Sequence, residues 1–338
     1  MAWRMIGFDL DNLCTDSVNR AGECTPMMGA PAAIDGVDGI DNQFGSELFP
    51  LVNVAVPGLE ATARGYQMAG QGLPLLRMRG WNGTMNDSVV DIVITSAVFS
   101  TAGTGTTAPP AVTVTSPTHQ TLADGSPLPA PAWDGQDWAW VRADSFAAGD
   151  LEMPLVEDDQ AYVANGLVVA HLPQRIDIIF PTNTVGVLVR LTGAVAVGTL
   201  SPDGMTLNNV VVAGRWAVND LLATAENIGL CRGMGEYTIL QSQLARDADL
   251  RSIPPQPGDP ILSCDAISLG VGFTGYRMRI ATATPGLAII DLCTTDAGFP
   301  SDTGVTTDAG SDAGNDAGND AGSDAGHDAG SDAGVDGG

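Results

Sequence analysis

Between residues 75 and 212 the apolar residues come in short runs, each ended by residues that turn the chain, and this rhythm restricts the fold more than any other feature. Runs 75–81 and 89–96 flank Asn82-Gly83; runs 162–169, 175–180 and 185–197 are punctuated by Asn165-Gly166, Leu172-Pro173 and Pro181-Thr182-Asn183. Residues 205–212 follow the turn Ser201-Pro202-Asp203-Gly204, and 266–273 with 276–280 close the pattern. Asn-Gly between such runs is a strong hairpin signal, because both residues tolerate positive φ. The spacing predicts consecutive antiparallel strands. The fold class that follows is mainly β (α+β by count): an antiparallel β-sandwich or jelly-roll-like domain with a few short covering helices.

The helices show as stripes at 3.6-residue spacing. Leu59, Ala63, Tyr66 and Ala69 form one; Val218, Leu221, Leu222, Ala225 and Ile228, closed by Gly229, form another; Tyr237, Leu240 and Leu244 form a third. Asp41 is placed to cap a further short helix through Phe44, Leu48 and Val52, with Pro50 expected to limit its length. From Ser301 the chain repeats Asp-Ala-Gly with a period of four, and such composition cannot bury enough apolar surface to offset its conformational entropy. Residues 1–297 are therefore expected to form a β-rich globular domain with an N-terminal acidic loop, and 298–338 a disordered tail.

The N-terminal stretch concentrates the chemistry. Residues 3–10 read as a buried strand that sets Asp9 and Asp11 on one face, and the loop Asp35-Gly36-Val37-Asp38-Gly39-Ile40-Asp41-Asn42 follows. Calcium prefers several oxygen ligands in flexible geometry, so Asp9, Asp11, Asp35, Asp38, Asp41 and Asn42 are the candidate ligands of a structural calcium ion. The EF-hand pattern fails, with Leu13 at the fifth position from Asp9 and Val37 at the third from Asp35; the spacing is closer to the Asp-rich loops of thrombospondin type 3 and dockerin repeats. Asn82, Asn86 and Asp87 are a second oxygen-rich group, read more simply as turn residues.

Charge and cysteines bound the compartment. With 40 acidic residues against 14 basic ones, all Arg, the net charge of -26 repels the phosphates of nucleic acid and favours divalent cations as counter-ions. Cys14 and Cys24, ten residues apart, suit a local disulfide, and Cys231, Cys264 and Cys293 supply one bridge plus a leftover thiol, a pattern that belongs to an oxidising compartment. The expected location is extracellular, cell-surface or periplasmic. Residues 1–6 carry no cationic start, apolar core or cleavage site, so the export signal is expected upstream of them. No run is long and apolar enough to be read as a transmembrane helix.

No serine-hydrolase, zinc-protease, phosphate-loop or dinucleotide motif occurs. A carboxylate-pair glycosidase is the enzymatic alternative, drawing on Asp134, Asp137, Glu157, Asp158 and Asp159. Trp138 and Trp140 share a face in a strand, and with Asp134 and Asp137 they are a candidate ligand platform for sugar stacking, weighed against core packing. The functional expectation is a non-catalytic extracellular or cell-envelope protein, a calcium-stabilised β-sandwich serving adhesion or carbohydrate binding, with a purely structural envelope role as a further alternative. Partners would be carbohydrate or another surface protein.

Gly7-Phe8-Asp9-Leu10-Asp11, Asp38-Gly39-Ile40-Asp41-Asn42, Arg79-Gly80-Trp81-Asn82-Gly83 with Asn86-Asp87, Gly214-Arg215-Trp216 with Asp220-Leu221-Leu222, and Cys264-Asp265-Ala266-Ile267-Ser268 together resemble a group of uncharacterised, predicted secreted or lipid-anchored proteins of myxobacterial type, in which Asp-Ala-Gly linkers are common. The resemblance spans most of residues 3–293. It implies compartment and class, not activity. It also implies a further Cys near Leu244-Ala245, which would leave Cys231 without its partner here.

Overall fold

Turn chemistry sets the hairpins of this fold. A computed structural model describes residues 6–19, 22–55, 57–103, 106–109, 112–116, 119–121, 124–181, 186–286, 289 and 291–293. They belong to the unit Met1–Ala297; the Asp-Ala-Gly tail, read above as disordered, lies outside the described residues. Strands β1 (Gln71–Arg79) and β2 (Asp87–Thr101) pair antiparallel across the loop holding Asn82-Gly83. Strands β6 (Glu157–Ala164) and β7 (Leu167–Leu172) meet at a two-residue turn in which Asn165 and Gly166 both take positive φ, 50° and 81°. In the first loop Asn82 Oδ1 accepts from Thr84 N and Asp87 Oδ2 accepts from Asn82 N, each at 2.8 Å, so these residues hold the turn itself.

The remaining strands are β3 (Thr113–Ser116) and β4 (His119–Thr121), which form a separate two-stranded sheet, β5 (Trp138–Arg142), β8 (Ile176–Pro181), β9 (Gly186–Leu200), β10 (Thr206–Ala217), β11 (Ala266–Tyr276) and β12 (Arg279–Thr284). Ten strands join one sheet in the order β11-β10-β9-β7-β6-β2-β5-β12, with β1 on β2 and β8 on β9. Strand content of 39% against 21% helix makes the protein mainly β, as the turn rhythm predicts. The sheet is mixed, however: β12 runs parallel to β5. It doubles over through β9, whose first half pairs with β8 and whose second half pairs with β7. Gly193, at φ +54, sits at that change, and β8 packs against β1 and β2 in a sandwich-like arrangement.

Between the layers lies a continuous core that includes Ile92, Ala170, Leu172, Ile178, Leu191 and Ile267, all essentially inaccessible. Each of the Leu and Ile side chains contributes about 1.5–3 kcal/mol relative to exposure. Trp138 and Trp140 are also core. Trp140 is fully buried with Val98, Phe99 and Val112, and the Arg279 guanidinium lies 5.4 Å from the Trp138 ring centroid. Neither offers a face to a sugar.

Helices α2 (Leu59–Met68), α3 (Val218–Asn227) and α4 (Gly235–Asp247) fall where their stripes predict. The helix after Asp41 departs from expectation. A π-helical turn, Phe44–Leu48, runs into α1 (Phe49–Ala55), and Pro50 does not stop it. Hydrogen bonds in a π turn run to the fifth residue back, which loosens the ladder where proline has no N–H to give. The predicted strand at 3–10 reduces, among the described residues, to a single antiparallel bridge between Phe8 and Asp41. The reason is the company this stretch keeps: it packs on an edge strand as a loop held by side chains.

The cysteines pair differently from the local expectation. Cys24 joins Cys264 across 240 residues and Cys231 joins Cys293 across 62, leaving Cys14 free and exposed. Proximity in sequence misleads here because Thr25 pairs with Ser263 in a parallel bridge, which brings Cys24 to Cys264 instead of Cys14. Cys231 does not lack a partner, as the resemblance implied.

Candidate metal centre

The acidic site is assembled by a clamp on the edge of the sheet. β11 ends the strand order, so one row of its backbone groups has no neighbouring strand. Asn42 takes that strand's place: its Nδ2 donates to Gly270 O at 3.1 Å and to Ile6 O at 2.7 Å, and its Oδ1 accepts from Gly270 N at 3.1 Å. The same Oδ1 accepts from Gly45 N at 3.0 Å, which starts the following helix. Asn42 is thus committed to backbone, and Asn42, not Asp41, supplies the cap. A Cβ at position 270 would overlap the carbonyl oxygen of Ile6, so glycine is required where the N-terminal segment crosses β11.

Two further ties fix that segment. The Cys24–Cys264 disulfide is one. The other is an ion pair between Arg215 and Glu23, whose side chains are only 3% and 5% exposed. Arg215 also donates to Leu10 O at 2.6 Å and Arg251 O at 3.1 Å, while Glu23 Oε1 accepts from Arg251 N at 2.6 Å. Each charge is matched, as burial demands.

Against this frame the carboxylates converge. Oxygens of Asp9, Asp11 and Asp41 lie within 4.8 Å of one another. Gly39, at φ +79, makes this possible, since a Cβ there would stand 3.2 Å from Asp9 Oδ2. Behind them is a crevice of about 10 Å³, room for roughly one water-sized sphere, lined by Asp11, Asp35, Asp41 and Asp249 together with Thr15 and the Cys24–Cys264 pair. Asp41 Oδ2 accepts from Leu10 N at 2.6 Å, Asp35 Oδ2 from Thr15 N at 2.5 Å, and Asp11 Oδ1 from Leu13 N at 2.9 Å. Asp249 accepts from Ser268 N at 2.8 Å and from its hydroxyl at 2.5 Å.

No basic side chain is among the described residues lining the crevice. The acids bear the consequence. Burial pushes Asp41 up to about 9 against the hydrogen bond from Leu10, with the neighbouring carboxylates of Asp249, Asp11 and Asp35 adding to the rise. Asp249 is raised to about 7 and Asp11 to about 6, desolvation again leading, and Asp35 is raised by the same cause. A set of desolvated oxygen donors without a cationic partner is held by protons or by a metal ion. Asp35, Asp41 and Asp249 also line an open cleft of about 870 Å³, a route for an ion to reach them.

Of the six residues expected to ligate, Asp9, Asp11, Asp35 and Asp41 come together. Asp38 lies exposed at φ 59° in the turn Val37–Gly39, where its conformation shapes the loop. Asp249 is the member sequence reasoning missed; nothing local marks it, because what places it is the register of β11. Four of the five acids considered for glycoside hydrolysis are occupied elsewhere, and Asp159 is exposed on β6. Asp137 accepts from Ala132 N at 2.9 Å and Trp133 N at 2.6 Å, Asp158 from Gln160 N at 2.9 Å and His171 N at 2.6 Å, and Glu157 pairs with Arg79. Asp134 accepts from Gln136 N at 2.8 Å on the surface.

Among the described residues no helix is long and apolar enough to cross a membrane, and the two disulfides are compatible with an extracellular protein. In comparisons with known proteins, no family model, curated protein or solved structure matches the chain.

Proposed function

We propose that this is a non-catalytic protein of the extracellular space or cell envelope, whose disulfide-tied β-domain is completed by a calcium ion in the N-terminal acidic site. The observation that carries the reading is the crevice of Asp11, Asp35, Asp41 and Asp249, four carboxylates with no basic side chain among the described residues that line it; Arg246 stands only in the outer cleft, paired with Asp247. An all-oxygen donor set in a loop suits a hard divalent cation, and calcium tolerates its irregular geometry better than magnesium does. Bound there, the ion replaces the protons that keep these acids neutral and ties the N-terminal loop to the segment after α4. The role is structural, in an envelope or adhesion module. With Trp138 and Trp140 in the core, any carbohydrate or protein partner meets another part of the surface. The resemblance to secreted or lipid-anchored proteins of myxobacterial type points to the same compartment.

Calorimetric titration of the oxidised, metal-stripped chain with calcium tests this. Saturable binding at one site is expected, weakened at least tenfold by Asp41→Asn and by Asp11→Asn and left unchanged by Asp38→Asn. Absence of saturable uptake, or equal binding by Asp41→Asn, refutes the reading.

A further inference from the structure

A second cavity lies on the opposite face of β10 and β11 from the acidic site. Residues directly paired across antiparallel strands share a face, so Trp216 opposite Ile267 looks the same way as Leu269, Val271 and Phe273 along β11. Arg215 and Ser268, which hold the acidic site, point the other way. With the helices Phe44–Ala55 and α2 above and the sheet below, this face bounds a half-open cavity of about 260 Å³. That exceeds the roughly 150 Å³ apolar cavity known to admit benzene and sits near the low end of ligand pockets, about 300 Å³. The space is half open, so a small molecule can enter it and cover its aromatic wall.

The wall says what kind. Its floor is made chiefly of Phe44, Phe180, Val189, Trp216, Leu269 and Phe273, a surface for an apolar body, with Glu60 and Arg64 of α2 also on the lining. Two donors on it have no acceptor among the described residues: Nε1 of Trp216, a residue 3% exposed, and Nε2 of Gln67. A buried N–H without a partner is costly, and one acceptor oxygen from an occupant removes the cost. Trp138 and Trp140 also lack acceptors on Nε1. Trp216 differs in sharing a cavity with a second orphaned donor.

We infer that this cavity binds a small apolar molecule carrying one hydrogen-bond-accepting oxygen, such as a ketone or ester, with its oxygen on Nε1–H of Trp216 and its body among the aromatic rings. Recognition is by shape and one polar contact, independent of the calcium site.

Acetophenone and ethylbenzene, nearly equal in size and differing in the carbonyl, are the probes, titrated into the full ¹⁵N-labelled chain while the indole N–H signals are followed. Both are expected to bind saturably, acetophenone about three- to tenfold more tightly, which is the net worth of one hydrogen bond. The Trp216 signal, assigned with Trp216→Phe, moves downfield with acetophenone alone, and Trp216→Phe brings the two affinities together. Gln67→Leu, on a half-exposed helix position, narrows the gap if Trp216→Phe fails to fold, and Ala63→Trp at the cavity wall excludes both probes. The inference is overturned if neither probe binds at millimolar concentration, or if both bind equally with the Trp216 signal unmoved. It is also overturned if binding requires removal of residues 1–5, for then the chain fills its own cavity.

Discussion

Stripped of metal, this domain should lose stability as the pH rises from 5 to 7, the reverse of what acidic proteins usually do. Asp41 carries the effect. The residue is 4% exposed, and its carboxyl is raised to about 9 by burial and by three neighbouring carboxylates, whereas in the unfolded chain an Asp titrates near 3.9. Between those values the folded state holds a proton that the unfolded state has released, so the stability this group contributes is present below about pH 4 and lost as pH climbs towards 9. One proton of difference is worth about 1.4 kcal/mol per pH unit, hence about 2.7 kcal/mol between pH 5 and 7 from Asp41 alone. Asp249, raised to about 7, and Asp11, raised to about 6, add to the same slope over part of the range. For a domain of this size the midpoint should fall by about 5–10 °C. Calcium reverses the sign by taking the protons' place: at a hundred times its dissociation constant it restores about 2.7 kcal/mol at pH 7, enough to cancel the Asp41 loss. Scanning calorimetry at pH 5, 6 and 7, with chelator and with calcium, reads both effects. Asp41→Asn, neutral at every pH, should flatten the chelator series. A midpoint that holds or rises from pH 5 to 7 in chelator refutes the argument, because it would mean that Asp41 is ionised in the folded protein without a counter-ion.

Two other outcomes follow from the packing. Replacing Arg215 by Ala strands the buried Glu23 carboxylate and should cost about 3–5 kcal/mol, measured by denaturant unfolding and far exceeding the loss from Arg232→Ala, whose partner Glu226 is met at the surface. Peptide mapping of the unreduced protein should recover Cys24 with Cys264 and Cys231 with Cys293; in the chain-entropy account removing the first costs about 5–6 kcal/mol and the second about 4 kcal/mol, while Cys14→Ser changes stability by less than about 0.5 kcal/mol.

What could be read from the sequence was local. Asn165-Gly166 announces its hairpin because two residues of positive φ are all that such a turn needs, and the α3 stripe announces a helix because its period lies within ten residues. The acidic loop was half legible for the same reason: Asp9, Asp11, Asp35 and Asp41 lie within 33 positions of each other. Asp249 was not, since its place depends on Ser268 and the register of an edge strand. Trp138 and Trp140 carry the same alternation whether a strand faces solvent or a second layer, and only the doubling of the sheet decides that they are buried. Asn42 looked like a ligand because its amide can serve metal or backbone equally; the edge of β11 claimed it first.

The closure of the N-terminal segment onto β11 also imposes an order in time. Asn42 and Gly270 are separated by 228 residues and Cys24 and Cys264 by 240, so the opening segment emerges and waits while nearly the whole sheet is made. During that wait the first thiol within reach of Cys24 is Cys14, only ten residues away, and in an oxidising compartment the short loop closes fastest. Were that loop to close first, the native bridge would be reached by exchange, the thiolate of Cys264 attacking Cys24 with Cys14 as the departing group. Cys14, exposed and unbridged in the finished protein, is thus the near competitor that the native pairing has to exclude until the segment leading into β11 arrives.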